Sequence, residues 1–401
     1  MRLVTSGGKD LWLAYSMNVH AGGSLSAMEE AIASTVVPLR ARLRVRGPFG
    51  IGLRLDRHGV ATLHDDAARR ASFRSLLSAN GLHPFTANAF VVGDFHRAGA
   101  KDDVYRPTWR DRERVDYTLA FAEAMAALTG PGHMVSLSTS PGSFKPFAEG
   151  PEVERDIARN LCRAARGLFE LEESSGVRVL LGVEPEPLCT LETLEETLAF
   201  FRGPLSQAFG PEREAVRHLG VCYDVCHQAV EGEDAALGLE TLKAAGIPLV
   251  KLQASSALEL LDSSDPAGRA ALSRFVEPRW LHQVVSATPA GGRRRAVDLP
   301  VALAGPDAAQ WAEGGFPWRV HFHVPVHRQE AVPPLATTRD VLERALLSLA
   351  AMPSTSHVEI ETYTWDALPA EHRAEGLVES LALEYEWVLS VLARGGVRRA
   401  S

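Results

Sequence analysis

The sequence predicts an α/β fold, a (β/α)8 TIM barrel with an insertion after the seventh strand. Three observations lead there. Eight strand-like runs alternate with helix-like runs along almost the whole 401-residue chain. The chain is long for one simple domain, but a barrel of this kind reaches such a size once it carries insertions. No Gly-x-Gly-x-x-Gly follows the first strand, so the competing doubly wound nucleotide-binding sheet lacks its main signal.

In order, Leu11 to His20 reads as the first strand, followed by a helix over Ser24 to Leu43 with Ser24 or Ser26 as its cap. Phe49 to Asp56 is the second strand, and the helix Asp65 to Asn80 closes at Asn80-Gly81. Pro84 to Val92 is the third strand, with a long loop over Gly93 to Trp109 and a helix from Asp111 to Leu128. Met134 to Ser140 is the fourth, leading into the loop Pro141 to Gly150 and the amphipathic helix Pro151 to Ser175. Val177 to Pro187 is the fifth, with a helix over Thr190 to Phe209 that Thr190 is placed to cap. Leu219 to Asp224 is the sixth, followed by a helix from Asp234 to Ala245. Ile247 to Ser255 is the seventh, Val358 to Trp365 the eighth, and Ala370 to Leu392 the closing helix.

The stretch from Ser256 to His357 exceeds one βα unit. It carries a short helix near Ala267 to Phe275, strands over Leu281 to Thr288 and Trp318 to Val326, an exposed tip at Gly291 to Arg295, and a helix over Thr337 to Ala350. The reading is a single domain, 1–401, with 256–336 as a lid or side wall over the barrel mouth. The tail Gly395 to Ser401 is expected to be disordered.

Composition narrows the function classes. The chain is 46% hydrophobic and 23% charged, within the globular range. A net charge of −8 argues against binding nucleic acid by bulk electrostatics. Four cysteines, none in a Cys-x-x-Cys pair, suggest a reducing compartment. No secretory leader or membrane-spanning run is evident, so a soluble cytoplasmic protein is expected.

Catalytic groups of a parallel barrel lie at the C-terminal ends of its strands. There the sequence places Asn18 and His20, Asn88 with Asp94 and His96, Glu184-Pro185-Glu186, Asp224 with His227, Lys251 and Gln253, and Glu359 and Glu361. Carboxylates crowded into one mouth repel each other and are costly to desolvate, and a cation relieves both effects. Two Glu, one Asp and a Gln amide oxygen make a hard site that favours Mn, Mg or Co over Zn. Glu184 and Glu186 share a strand face, so the residues alone leave the choice between them open. Glu359 and Glu361 are in the same position. His20, Asn88, His96, His321 and His323 are candidates for contacting a small-molecule substrate, and Lys101 and Lys145 for docking its phosphate or carboxylate. Phe90, Phe95, Trp109, Phe144 and Trp365 are candidate cavity walls.

The order of a Glu, then Asp-x-x-His, then a polar strand end, then a Glu on the eighth strand resembles the xylose-isomerase-like barrel superfamily of sugar phosphate isomerases and epimerases, over Leu11 to Leu392. More narrowly, YSMNVH, GIGLRL, GVEPEP, GVCYDVCHQAVE, KLQASSAL, LHQVV, VHFHVPV and EIETYTW resemble the EboE metabolite-traffic family. The superfamily resemblance implies a divalent metal held by Glu184, Asp224, Gln253 and Glu361, with Gln253 where a histidine is usual. It implies that His227 binds substrate or fixes the metal shell, and that Glu184 and Glu361 exchange a substrate proton through a metal-stabilised enediolate. It favours Glu184 over Glu186 and Glu361 over Glu359. His321 and His323 are extra metal ligands by analogy with endonuclease-IV-like members, or lid residues facing substrate. The rival functions are a dehydratase, a non-catalytic traffic protein with partners from the same gene cluster, and a multi-zinc phosphodiesterase.

Overall fold

The computed structural model describes residues 1–148, 150–210 and 214–400. Eight parallel strands form the centre: β1 (Asp10–Tyr15), β2 (Phe49–Arg54), β3 (Leu82–Asn88), β4 (Met134–Thr139), β5 (Arg178–Val183), β6 (Leu219–Asp224), β7 (Leu249–Ala254) and β8 (His357–Ile360). Neighbours pair in sequence from β2 round to β7, then β7 with β8 and β8 with β1. The seam between β1 and β2 is held by one parallel bridge, Ser16 to Gly52. Glycine is required there because a Cβ on Gly52 would stand 1.7 Å from Glu359 Oε1 inside the barrel. Below the barrel, Arg2–Val4 pairs antiparallel with β1 and with Arg398–Arg399. The C-terminal tail is therefore ordered to Ala400 rather than free, while Ser401 lies outside the described residues.

The strands are shorter than the apolar runs suggest, because the chain turns as soon as ladder pairing ends. After β1 it coils over Met17–Val19, with Ser16 Oγ accepting from Asn18 N at 3.4 Å. The helix after β2 begins early, at Arg57, because Asp56 caps it through Gly59 N; the segment Arg57–Asp65 was not foreseen as helical. Thr193 rather than Thr190 caps the helix after β5, in a reciprocal capping box with Glu196. Two helices widen to a π-turn, at Ile32–Val36 and Phe201–Leu205. Pro38 follows the first and Pro204 lies in the second, and neither can donate the usual backbone bond. The loop Pro141 to Gly150 contains Glu149, which lies outside the described residues. Among the described residues, no helix is long and apolar enough to cross a membrane.

Between β7 and β8 the chain builds a second, antiparallel sheet. Its order is Arg293–Ala296, Val284–Ala287, Trp318–His323, Ala257–Leu260, Ala336–Thr337. It has its own apolar core around Leu258, Leu272, Phe275, Trp311, Trp318 and Phe322. The expected arginine tip is a strand, and the chain turns ahead of it at 289–291. Arg295 reaches back to the barrel side, donating to Glu192 Oε1 at 2.6 Å and Glu231 Oε2 at 2.5 Å.

Glu277 fastens the loop that brings Trp280 to the mouth. Its Oε1 accepts from Arg279 N at 3.0 Å and Trp280 N at 2.6 Å, and its Oε2 from Arg279 Nε at 2.8 Å. Burial works to raise its pKa, but hydrogen bonds from His282, Trp280 N–H and Arg279 outweigh it and hold it at about 2. The folded pKa lies below the usual 4.5. The stabilisation is therefore present above that value and lost as pH falls through about 2. Urea titrations from pH 6 to 2.5 are expected to show Glu277→Gln less stable than wild type at pH 6, with the two converging at the acid end.

Candidate metal centre

β5, β6 and β8 deliver Glu184, Asp224 and Glu361 to the mouth, and Trp318–His323 of the second sheet brings His321 and His323 beside them. Glu184, Glu361, His321 and His323 line a cavity of about 520 Å³, counting its open mouth, together with Asn18, Asn88, Glu186 and His227, and Asp224 lies fully buried.

Asp224 does two things at once. It caps the short helix Val225–Val230, its Oδ1 accepting from His227 N at 3.1 Å and from Ser255 Oγ at 2.7 Å. Its buried Oδ2 has no hydrogen-bond partner. The cap thus uses one carboxylate oxygen and leaves the other buried and unpaired.

The three imidazoles have their tautomers set by what faces Nδ1. His227 Nδ1 lies 3.0 Å from Pro185 O, and His323 Nδ1 lies 3.1 Å from Glu361 O. A carbonyl only accepts, so both Nδ1 atoms carry the proton. His321 Nδ1 lies 2.7 Å from Gln283 Oε1. The Gln283 amide is oriented by its Nε2, which donates to Tyr105 OH at 2.9 Å and Pro187 O at 3.4 Å. In their neutral forms all three imidazoles would present Nε2 lone pairs. His227 Nε2 and His321 Nε2 face each other at 3.0 Å, and His323 Nε2 has no partner. Two lone pairs at that distance repel unless a proton or cation lies against them. One donor atom from each of His227, His321 and His323 lies within 4.8 Å of the others, and the same holds for Glu184, Asp224 and His227. Glu184 Oε2 is also buried without a partner. This donor set fits a divalent cation.

The electrostatics agree. Burial, then the Glu361 and Asp224 charges, push the Glu184 carboxyl well above its ordinary range. Burial, then Asp224 and Glu359, do the same to Glu361. Burial raises Glu186 to about 7. Burial, then neighbouring imidazoles, holds His321 well below its usual value. His323 is lowered to about 4, chiefly by burial. Neutral imidazoles beside crowded carboxylates are what a cation binds.

Gln253, expected as a ligand, is turned away. Its Oε1 accepts from Cys222 Sγ at 2.9 Å, and its Nε2 donates to Glu361 Oε2. Glu361 Oε1 accepts from Asn18 Nδ2 at 2.7 Å, so both its oxygens are engaged by amides. Glu359 lies deeper, fully buried against Lys251, and Glu361 is the eighth-strand carboxylate at the cavity. Both Glu184 and Glu186 reach the cavity; Glu186 Oε1 accepts from Tyr105 OH at 2.7 Å.

Two expected anion-docking residues are spent elsewhere. Lys101 Nζ is held by Asp298 Oδ2 at 2.7 Å and by the Glu277 and Trp280 carbonyls, clamping the lid. Lys145 Nζ is held by Glu192 and Glu196. His20 is hydrogen-bonded to Tyr15 OH at 2.9 Å, and His96 Nε2 to Asn18 O at 2.7 Å. Neither is among the cavity-lining residues, whereas Asn88, His321 and His323 are. Phe90 and Phe95 line the cavity; Trp109, Phe144 and Trp365 do not, Phe144 stacking behind Tyr105. Sequence reasoning missed Trp280, Leu281, Gln283 and Tyr363. The one signal for Gln283 was the LHQVV segment, whose polar residue sits inside a strand-like run.

One solved structure bears on the architecture. A xylose isomerase domain protein from Planctomyces limnophilus superposes with a TM-score of 0.51 at 12% identity, over 96% of this chain and 98% of that one. The chain has the xylose-isomerase-like barrel fold. An L-ribulose 3-epimerase follows at a TM-score of 0.49 and 11% identity, over 98% and 96% of the two chains. The IOLI protein, solved with a zinc atom, gives 0.45 at 13% identity, over 96% and 99%. No family model and no curated protein matches the chain, so the narrower EboE resemblance rests on its motifs alone.

Proposed function

We propose that the protein is a divalent-metal-dependent enzyme of the isomerase or epimerase type, acting on a small hydroxy-carbonyl compound by proton transfer. The observation that carries this is the grouping, within 4.8 Å, of one donor atom from each of His227, His321 and His323 and from each of Glu184, Asp224 and His227, with Glu184 Oε2, Asp224 Oδ2 and His323 Nε2 left without partners. Asp224, His227, His321 and His323, with Glu184, would hold the cation. The imidazole share of this set moves the expected metal toward Zn, Co or Mn and away from Mg. When bound, the cation supplies Lewis-acid polarisation of adjacent carbonyl and hydroxyl oxygens.

The protein's own groups do the rest. Burial and neighbouring carboxylates raise the Glu184 and Glu361 carboxyls well above their ordinary range, which suits them to taking a proton from the hydroxyl-bearing carbon and returning it. Asn18 and Gln253 hold Glu361 by both oxygens and fix its direction. Gln283 and Pro185 O fix the imidazoles.

The test is solvent exchange. Metal-loaded protein with 2-hydroxycyclohexanone or D-fructose in D2O is expected to place deuterium on the hydroxyl-bearing carbon. Glu184→Gln and Glu361→Gln should each slow this by about 10²–10⁴-fold, with the metal content of Glu361→Gln unchanged. Exchange that survives both substitutions sinks the assignment. The histidine-rich set also favours a second reading, metal-assisted hydrolysis of a phosphodiester, which two or more bound zincs would bring forward.

A further inference from the structure

Cys226 stands two residues after Asp224 and just before His227, on the first turn of the helix Val225–Val230. It is fully buried and packs with Val230, Ala257 and Val285. Its Sγ, one donor atom of Asp224 and one of His323 also lie within 4.8 Å of one another.

Both of those side chains keep an atom in reserve. Asp224 Oδ1 is committed to His227 N and Ser255 Oγ, which leaves Oδ2 buried and unpaired. His323 Nδ1 is committed to Glu361 O, which leaves Nε2 buried and unpaired. The thiol is equally unspent. Cys222 Sγ donates to Gln253 Oε1 at 2.9 Å, and Cys189 Sγ lies 4.0 Å from Glu186 Oε2. Cys226 Sγ makes no hydrogen bond, whereas its backbone N–H donates to Ser255 Oγ at 2.8 Å. Cys226 is not among the cavity-lining residues, so its sulfur is not placed to attack a substrate. Apolar filling explains the contacts with Val230, Ala257 and Val285. It does not explain a thiol set beside a carboxylate and an imidazole that each keep an unpaired atom.

Resting on the metal-centre reading above, we propose that the Cys226 thiolate is a further ligand of the cation, and that the site therefore takes Zn or Co in preference to Mn. On binding, the S–H bond breaks, its proton passes to solvent, and the sulfur electron pair goes to the cation. Sulfur separates these metals, because a soft thiolate favours zinc while hard oxygen donors suit manganese. Six protein donors would fill an octahedral shell and leave substrate no position. Glu184 is the donor that withdraws, since the proposed reaction uses it as a base.

The test is an absorption titration of the full chain, stripped of metal, with Co²⁺. Bound cobalt is expected to give a thiolate-to-cobalt charge-transfer band in the near ultraviolet, saturating at about one equivalent, beside its weaker visible bands. Cys226→Ala should lose the charge-transfer band and keep the visible ones. Its Zn²⁺ affinity should fall by at least about tenfold, with Mn²⁺ affinity nearly unchanged. The triple variant Cys162→Ala, Cys189→Ala, Cys222→Ala retains Cys226 as its single thiol and should keep the band, which decides the matter even where Cys226→Ala fails to fold. Cobalt bound without the charge-transfer band overturns the proposal and leaves the metal reading standing. So does a band that Cys226→Ala retains or the triple variant loses, or Mn²⁺ bound as tightly as Zn²⁺ by the wild type. A folded chain that binds neither cobalt nor zinc has failed the metal reading, and the proposal falls with it.

Discussion

Asp224→Asn is expected to keep the fold and lose the metal. The substitution preserves Oδ1 as acceptor for His227 N and Ser255 Oγ, so the cap on Val225–Val230 survives. Losing even the whole cap would cost about 1 kcal/mol. What it removes is the charge on Oδ2, the buried oxygen without a partner. Loss of a residue that merely supports a ligand lowers metal affinity about 10–100-fold, and loss of a ligand should exceed that. Equilibrium dialysis against Zn²⁺ or Mn²⁺ is therefore expected to show affinity reduced more than about 100-fold, with the urea midpoint of the metal-free protein moved little. Asp224→Ala should lose both metal and cap. A variant that unfolds yet binds metal normally when folded would assign Asp224 to capping alone.

The second large effect concerns stability. Lys251 Nζ sits 2.5 Å from Glu359 Oε2 in the middle of the barrel, both side chains fully buried. Burial works against the ammonium, but the Glu359 charge outweighs it and holds the group protonated. The same ammonium offsets the crowded Glu184 and Glu361 carboxylates above it. Lys251→Ala strands a buried carboxylate, and breaking such a pair costs about 3–5 kcal/mol. Replacing both partners by apolar residues of similar size is often close to neutral. Urea unfolding should thus show the single variant destabilised by about 3–5 kcal/mol and Lys251→Met with Glu359→Leu recovering most of the loss. A double variant as unstable as the single would mean that the pair itself, not the uncompensated charge, sets the stability.

How much of this was legible in the sequence depended on how local the determinant was. Leu219–Asp224 came out as a strand with the bounds it was given, because an apolar run, a glycine and a capping Asp all lie within six residues. The parity of Glu184 with Glu186, and of Glu359 with Glu361, placed all four on interior faces. Their depth could not be read, because it depends on the register of neighbouring strands. Lys101 and Lys145 looked free because their partners are remote: Asp298 lies 197 residues from Lys101, and Glu192 lies 47 from Lys145. Gln253 had the right position for a ligand, but the direction of its amide is decided by Cys222 and Glu361. The lid was visible only as a stretch too long for one crossover, so the rings it places at the mouth carried no periodic signal. His321 and His323 were legible as a pair on one strand face, and their meeting with His227 belongs to the tertiary fold.

On the proposed reading, Glu184, Asp224, His227, His321 and His323 hold one divalent cation. The most direct measurement is elemental analysis of wild-type protein purified without chelator or affinity metal, repeated after incubation with Zn²⁺, Mn²⁺ and Co²⁺ and desalting. About one equivalent of one of these metals per chain is the predicted result. A chain that retains none of them after reconstitution, while folded by circular dichroism, would contradict it.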